Sequence, residues 1–219
     1  MKFFATSTLI ALAFAATSAL ATPIGTGLNG ETDFRNSNTY STCDSTTGCT
    51  RFDAATGMNV TITANPSNAG GLYWDSTDGF GIRGGENDEI DKRETLTVTF
   101  ASSVNLAGVW FTDLFMASDG VNGETARVKL FLGGSQVGSA YNFNANEPAP
   151  NVNNGERYGS FGSGVTVDKI VFSAMQECND EYSVAGLVTN DGRVPEPGTI
   201  LLLGAGLVAL GTLRRRAKA

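Results

Sequence analysis

The feature that most constrains the fold is the alternation of apolar and polar residues in short segments along the middle of the chain. The segment 94–100 alternates most regularly and would place Leu96, Val98 and Phe100 on one face of a strand. Turn-forming Gly, Asn, Ser and Thr separate such segments, and few runs have the apolar period of a helix. Strands and helices do not alternate, which argues against a parallel α/β fold. We therefore predict an all-β fold, a single antiparallel, jelly-roll-like β-sandwich.

Other segments show comparable patterns and are also predicted to be strands. In 165–172 the apolar positions change register at Asp168-Lys169, so that Ile170 and Phe172 face inward after the change. The segment 125–132 would direct Ala126, Val128, Leu130 and Leu132 to one face. The remaining predicted strands are 58–63, 106–114 and 182–188.

The first 21 residues have the pattern of a secretory signal peptide. Met1-Lys2 supplies a positive start, 9–16 is an apolar run, and Ala19-Leu20-Ala21 fits a small-x-small cleavage site. We predict cleavage after Ala21 and a single domain over 22–194.

The C-terminal segment 195–219 combines a rigid motif, an apolar run and a basic end. Pro195-Glu196-Pro197 is stiff because each proline fixes its own φ and favours an extended residue before it. The uncharged run 199–213 is predicted to be a short transmembrane helix, with Arg214-Arg215-Arg216 on the cytoplasmic side. A buried core helix is the alternative, but such a helix rarely ends in a cluster of arginines.

This order of elements resembles the PEP-CTERM sorting signal of Gram-negative bacteria. The resemblance covers only the C-terminal segment, and it implies processing by an exosortase, a membrane cysteine protease, near Pro195, Glu196 and Pro197. It also implies a producer that makes exopolysaccharide and biofilm matrix. The expected route is export through the inner membrane, anchoring there by the C-terminal helix, and then delivery to the cell surface or the extracellular matrix.

Charge and composition exclude several classes of function. Of the 15 Lys and Arg in the chain five lie outside 22–194, and of the 22 Asp and Glu only Glu196 does, which leaves 10 basic and 21 acidic residues, a net charge of about −11. Such a domain is not expected to bind nucleic acid. The chain has no His, which removes the commonest general base and most zinc sites.

The chain has three Cys. Cys43 and Cys49 bracket a polar, turn-forming stretch, and in an oxidising compartment we favour a disulfide between them. Cys178 would then be buried and free, although the other pairings stay open.

An acidic loop precedes the most regular strand and is the best candidate for a cation site. Calcium takes oxygen ligands from flexible loops, and crowded carboxylates repel one another unless a cation lies between them. A solvated loop whose partners are Lys92 and Arg93 is the equally weighted alternative. The predicted calcium ligands are Glu86, Asp88, Asp91 and Asp180.

These observations favour an exported, non-enzymatic surface or matrix protein that associates with exopolysaccharide, with no catalytic residues assigned. A calcium-dependent carbohydrate-binding module is the alternative. A polysaccharide hydrolase with two carboxylates is less favoured, because no pair of acids stands out. The expected partners are the exosortase, the inner membrane before processing, and extracellular polysaccharide.

Overall fold

The computed structural model describes residues 31–65, 70–84, 88–91, 94–116, 123–146, 154–175 and 180–190. These residues form antiparallel strands with one short helix, α1 (Ser37–Tyr40), and a 3-10 turn (Ser41–Cys43), which confirms the predicted all-β class. The strands are β1 (Glu31–Asp33), β2 (Gly48–Asp53), β3 (Met58–Asn65), β4 (Leu72–Asp75), β5 (Gly79–Ile82), β6 (Thr95–Thr112), β7 (Thr125–Leu132), β8 (Ser135–Gln136), β9 (Tyr141–Asn144), β10 (Arg157–Ala174) and β11 (Ser183–Thr189).

Several predicted segments lie outside the described residues. They are the signal peptide with Ala21, the processing residues Pro195, Glu196 and Pro197, and the predicted transmembrane helix 199–213. Within the described ranges, no helix is both long and apolar enough to cross a membrane.

Two long strands, β6 and β10, pair with each other and are shared by both layers of the sandwich. In one layer, here named the β3 sheet, the first part of β6 and the last part of β10 join β2, β3, β7, β8 and β9. In the other, the β11 sheet, the last part of β6 and the first part of β10 join β1, β4, β5 and β11. The sandwich is therefore formed by strands that pass from one sheet into the other.

Strand β10 changes register against β6 between Ser160 and Val165 and again between Val167 and Lys169. The first change contains Gly162 and Gly164, with φ of 69° and 99°. A Cβ on Gly164 would lie 1.8 Å from Asn105 Oδ1, so only glycine fits this bend. The second change occurs at the Asp168-Lys169 position that the sequence predicted.

The apolar faces of the two sheets enclose one core. Phe111 of β6 packs against Phe172 of β10 and Phe143 of β9, with ring centroids 6.3 and 5.5 Å apart. A polar contact also crosses the core, since Thr32 Oγ1 of β1 donates a 2.8 Å hydrogen bond to the buried Asp53 carboxylate of β2. Each buried aromatic side chain stabilises the fold by roughly 1.5–3 kcal/mol.

The predicted strands are confirmed in position but not always in extent. The segments 94–100 and 106–114 belong to one continuous strand, β6, and 165–172 is the last part of β10. Leu132 was predicted to face inward, but it is 41 % exposed because β7 ends there in a tight turn through Gly133 and Gly134.

The predicted disulfide is present. Cys43 at the end of the 3-10 turn is bonded to Cys49 in β2, with the Cα atoms 5.3 Å apart. Both residues belong to the core, so the bond fixes the turn against the edge strand of the β3 sheet. Cys178 lies outside the described residues.

Candidate functional site

Acidic side chains gather where several strands end at one end of the sandwich. Strand β6 ends at Thr112, β7 starts at Thr125 and β5 starts at Gly79. Hydrogen bonds join these ends, since Thr112 Oγ1 donates to the Asp78 carbonyl oxygen at 2.8 Å and the Glu124 N–H donates to the Phe115 carbonyl oxygen at 3.0 Å. We name this group the acidic end, and it comprises Asp75, Asp78, Glu89, Asp113, Glu124 and Glu181.

The hairpin between β4 and β5 places two of these carboxylates. Asp75 Oδ1 accepts the N–H groups of Thr77 and Asp78 at 2.6 and 2.8 Å, which closes the turn around the Asp75 side chain. Gly79 follows with a φ of 91°, and a Cβ there would lie 2.4 Å from the Val184 carbonyl oxygen. The turn is thus held tightly against β11.

Asp78 and Asp113 form a carboxyl pair. Their side chains hydrogen-bond each other, which requires a proton between them, and the Asn154 amide also donates to Asp78. Burial, and then the neighbouring Asp78, together raise the pKa of Asp113 to about 7. Burial, and then the charge of Asp75, raises the pKa of Asp78 as well.

Glu89 and Glu124 add two more carboxyl groups that resist ionisation. Burial and the nearby charges of Asp113, Glu181 and Glu124 raise the pKa of Glu89 to about 9. Burial raises the pKa of Glu124 to about 8, although the Phe115 N–H that donates to this carboxylate acts in the opposite direction. At neutral pH the acidic end therefore retains protons, and it is a place where positive charge would be stabilised.

The structure gives the predicted calcium ligands separate partners. Asp180 Oδ1 accepts the Thr125 N–H at 3.0 Å, next to the acidic end. The Asp91 N–H donates to Glu94 Oε2 at 3.1 Å, and the backbone of Asp88 lies against Gly81 of β5. Glu86 lies outside the described residues. No three Asp, Glu or Cys side chains in the described ranges converge as a metal site, and the calcium set stays a prediction.

Sequence reasoning selected no member of the acidic end as a ligand, and four of those it missed are Asp75, Asp78, Asp113 and Glu124. Their signal was positional, because each one lies at a turn or directly beside the end of a strand. Asp75-Ser76-Thr77-Asp78-Gly79 is a turn-forming sequence, and Asp113 follows directly after the apolar part of β6. Their meeting could not be predicted, since it depends on which strand ends lie next to each other.

Comparison with known protein families identifies the C-terminal segment. Residues 193–216 match the PEP-CTERM protein-sorting motif. The sorting motif contains Pro195, Glu196 and Pro197 and confirms the resemblance seen in the sequence. It marks the chain as an exported protein that is sorted by an exosortase.

The structure also resembles solved carbohydrate-binding modules. One is the family 32 module from C. perfringens NanJ in complex with galactose, with 11% identity, a TM-score of 0.36, and coverage of 58% of this chain and 92% of that one. Another is GH31 CBM32-2 bound to GalNAc, with 17% identity, a TM-score of 0.31, and coverage of 60% and 94%. No curated protein matches the sequence significantly. Similarity at these TM-scores does not extend to a binding site.

The raised pKa values of the acidic end predict that the free energy of unfolding falls as pH rises. A carboxyl group whose pKa is higher in the folded than in the unfolded chain stabilises the fold below its unfolded pKa of roughly 4, and this stabilisation is lost as pH rises through the folded value. With Asp113, Glu124 and Glu89 at about 7, 8 and 9, the unfolding midpoint should decrease between pH 5 and pH 9. Thermal unfolding in a chelating buffer measures this decrease.

The variant Asp113→Asn supplies the control, because asparagine keeps the shape and tolerates the φ of 57° at this position. At pH 9 it should increase the free energy of unfolding by about 1–2 kcal/mol, the scale of one pKa unit. At pH 4 it should be nearly neutral. An equal effect at both pH values would show that the ionisation of Asp113 is not what destabilises the fold at high pH.

Proposed function

We propose that this chain is an exported, non-enzymatic protein of the cell surface or extracellular matrix, and that its β-sandwich associates with exopolysaccharide. The observation that carries the proposal is the sorting motif at 193–216 behind an all-β domain. The motif directs the protein to the cell envelope, and the implied producer makes exopolysaccharide there.

Two properties of the domain support an extracellular role. The disulfide between Cys43 and Cys49 suits an oxidising compartment outside the cytoplasm. The described strands also present two solvent-facing sheet surfaces, which is a form suited to contact with an extended polymer. In this proposal the domain acts by binding exopolysaccharide. The carboxyl groups of the acidic end affect only the stability of the fold, which depends on pH through them.

The processing step can be tested with a matched pair of variants in cells that make exopolysaccharide. Replacing Pro195, Glu196 and Pro197 with Ala should abolish cleavage, so that the full-length chain stays in the inner membrane. Replacing Pro148 and Pro150, which are also separated by one residue, should leave processing unchanged. Immunoblots of cell fractions and mass spectrometry of the C-terminus measure both results.

The same cells test the association with polysaccharide. The processed wild-type protein should remain with the matrix fraction, and it should enter the medium when exopolysaccharide synthesis is disabled. Equal retention in both strains would contradict the polysaccharide proposal, and identical processing of both sets of variants would contradict sorting through this motif.

A calcium-dependent carbohydrate-binding module is the second candidate. It is favoured by the acidic end, where several carboxyl groups are crowded together and Asp180 lies alongside. Calcium binds such oxygen groups, and its charge would oppose both the burial and the repulsion that raise their pKa values. The predicted ligands Asp88 and Asp91 would contribute through the loop before β6.

For this candidate we expect calcium to raise the unfolding midpoint of the exported protein by several degrees at pH 8, because a ligand bound only to the folded state stabilises it. The variants Asp88→Asn and Asp91→Asn should reduce that shift, whereas Asp168→Asn, in β10 against the turn between β7 and β8, should not. Differential scanning calorimetry with calcium, magnesium and a chelator gives the comparison. An unfolding midpoint that is the same in all three solutions would eliminate the calcium candidate.

A further inference from the structure

The solvent-facing side of the β3 sheet is a regular surface of hydroxyl groups and cations. Along β3, β6, β10 and β7, buried residues such as Ile62, Val98, Ile170 and Leu130 alternate with residues that point away from the core. Cross-strand pairing aligns the outward residues in rows. One row is Thr50, Thr61, Thr99, Lys169 and Phe131, the next is Thr63, Thr97, Val171 and Lys129, and a third contains Ser173, Arg127 and Asn142. We name this surface the outer face of the β3 sheet.

Three cations lie together on this outer face. Lys169 is paired with Phe131, and its Nζ lies 4.5 Å from the centre of the Phe131 ring. Lys129 is paired with Val171 on the next row, and Arg127 follows two residues along β7. Residues two apart on a strand are separated by roughly 6.5 Å, so Lys129 lies one row from each of the other two cations.

None of the outward positions in these rows is a carboxylate. Arg35 and Arg83, in contrast, form ion pairs with Asp33, Glu156 and Asp44. Within the described ranges Arg127, Lys129 and Lys169 make no ion pair, and the buried Nε atom of Arg127 has no hydrogen-bond acceptor there. The nearest carboxylate along β10, that of Asp168, accepts the Gly133 N–H at 2.6 Å.

Such an arrangement is unexpected in a domain with a net charge of about −11. Like charges on neighbouring sheet positions destabilise the sheet, and the domain has ample acidic residues to neutralise them. The carboxylates instead gather at the acidic end and in ion pairs elsewhere. A bound anion would supply the missing counter-charge.

We propose that the outer face of the β3 sheet binds an anionic, carboxylate-bearing polysaccharide, with Arg127, Lys129 and Lys169 contacting its carboxylates and the threonine rows contacting its hydroxyl groups. This inference rests on the proposed association with exopolysaccharide and names the class of polymer and the surface. A cation bound to a carboxylate forms a charge-assisted hydrogen bond, which is stronger than a neutral one. Threonine hydroxyl groups both donate and accept, as sugar hydroxyl groups do.

The composition of the surface favours this polymer over other polyanions. Duplex DNA carries one charge per roughly 1.7 Å of its length and selects dense basic patches, whereas here the cations adjoin rows of neutral hydroxyl groups. An anionic membrane would favour protruding apolar residues beside the cations. The ring of Phe131, beside these cations, is instead covered by the Lys169 ammonium group, and the exposed Phe52 lies on β2, at the opposite edge of the sheet from the cations. Glu124 of the acidic end lies three residues before Arg127, and its repulsion of a polyanion is screened beyond the Debye length of about 8 Å at physiological salt.

The test uses the full chain recovered after export and measures binding to immobilised alginate, which carries carboxylates, and to dextran, which is neutral. Duplex DNA and phosphatidylglycerol vesicles serve as the other anionic probes. The variants are Lys129→Gln alone and the triple change Arg127→Gln, Lys129→Gln and Lys169→Gln. Arg51→Gln removes the same charge from β2, where the guanidinium contacts Thr42 and the Thr50 carbonyl oxygen and is separated from the three cations by β3 and β6, and is the matched control. Thermal unfolding verifies that each variant is folded.

We expect the wild-type protein to bind alginate in preference to dextran, and more weakly as salt is added. The triple variant should bind alginate at least about tenfold more weakly, which corresponds to about 1.4 kcal/mol, and Lys129→Gln alone should give an intermediate loss, because each charge supplies part of the binding. Arg51→Gln should bind as the wild type does.

Other results would overturn the inference. Unchanged alginate binding in both patch variants would show that the outer face is not the site, and tighter binding to DNA or to vesicles would identify another class of partner. Equal, salt-independent binding to dextran and alginate would overturn the anionic inference but leave the proposed polysaccharide association intact. Absence of binding to either polymer, together with equal matrix retention with and without exopolysaccharide, would contradict both.

Discussion

The pairing of β6 (Thr95–Thr112) with β10 (Arg157–Ala174) is the interaction on which the rest of the structure depends. These two strands take part in both sheets. Every other strand pairs with one of them, either directly or through neighbouring strands. Their register changes at the Gly162–Gly164 bend and beside Lys169 let a single ladder pass from one sheet to the other. The core can therefore close around Phe111 and Phe172 without a separate connection between two sheets.

The same geometry separates the charges of the domain. Strand ends bring carboxylates together because β5, β6 and β7 start or end in one place, and burial and mutual repulsion there raise the pKa values of Asp78, Asp113, Glu89 and Glu124. Strand faces, in contrast, are set by alternation, which directs Lys129 and Lys169 away from the core on adjacent strands. An acidic domain thus presents a sheet face whose outward rows carry cations and hydroxyl groups and no carboxylates.

Much of the fold could be predicted because alternation is a local property. The inward positions of Leu96, Val98 and Phe100 follow from residue type alone, as does the register change at Lys169. The continuity of β6 through 101–105 could not be read, because Ala101, Ser102 and Ser103 are exposed polar or small residues that resemble a turn. The disulfide followed from close spacing and a turn-forming sequence. The acidic end and the outer face depend on which strands are neighbours, and a single sequence does not contain that pairing.

The central claim is that the two sheets form one cooperative body held by the β6–β10 ladder. Hydrogen exchange of the exported protein, followed by mass spectrometry, tests it directly, because backbone amides that open only on global unfolding share one free energy of opening once their intrinsic exchange rates are divided out. We predict this common free energy for the amides of β6 on both sides of its centre, near Val98 and near Val109, and for β10 near Ile170. Distinctly faster exchange of the part of β6 near Val109 than of the part near Val98 would show two independent units and would contradict the account.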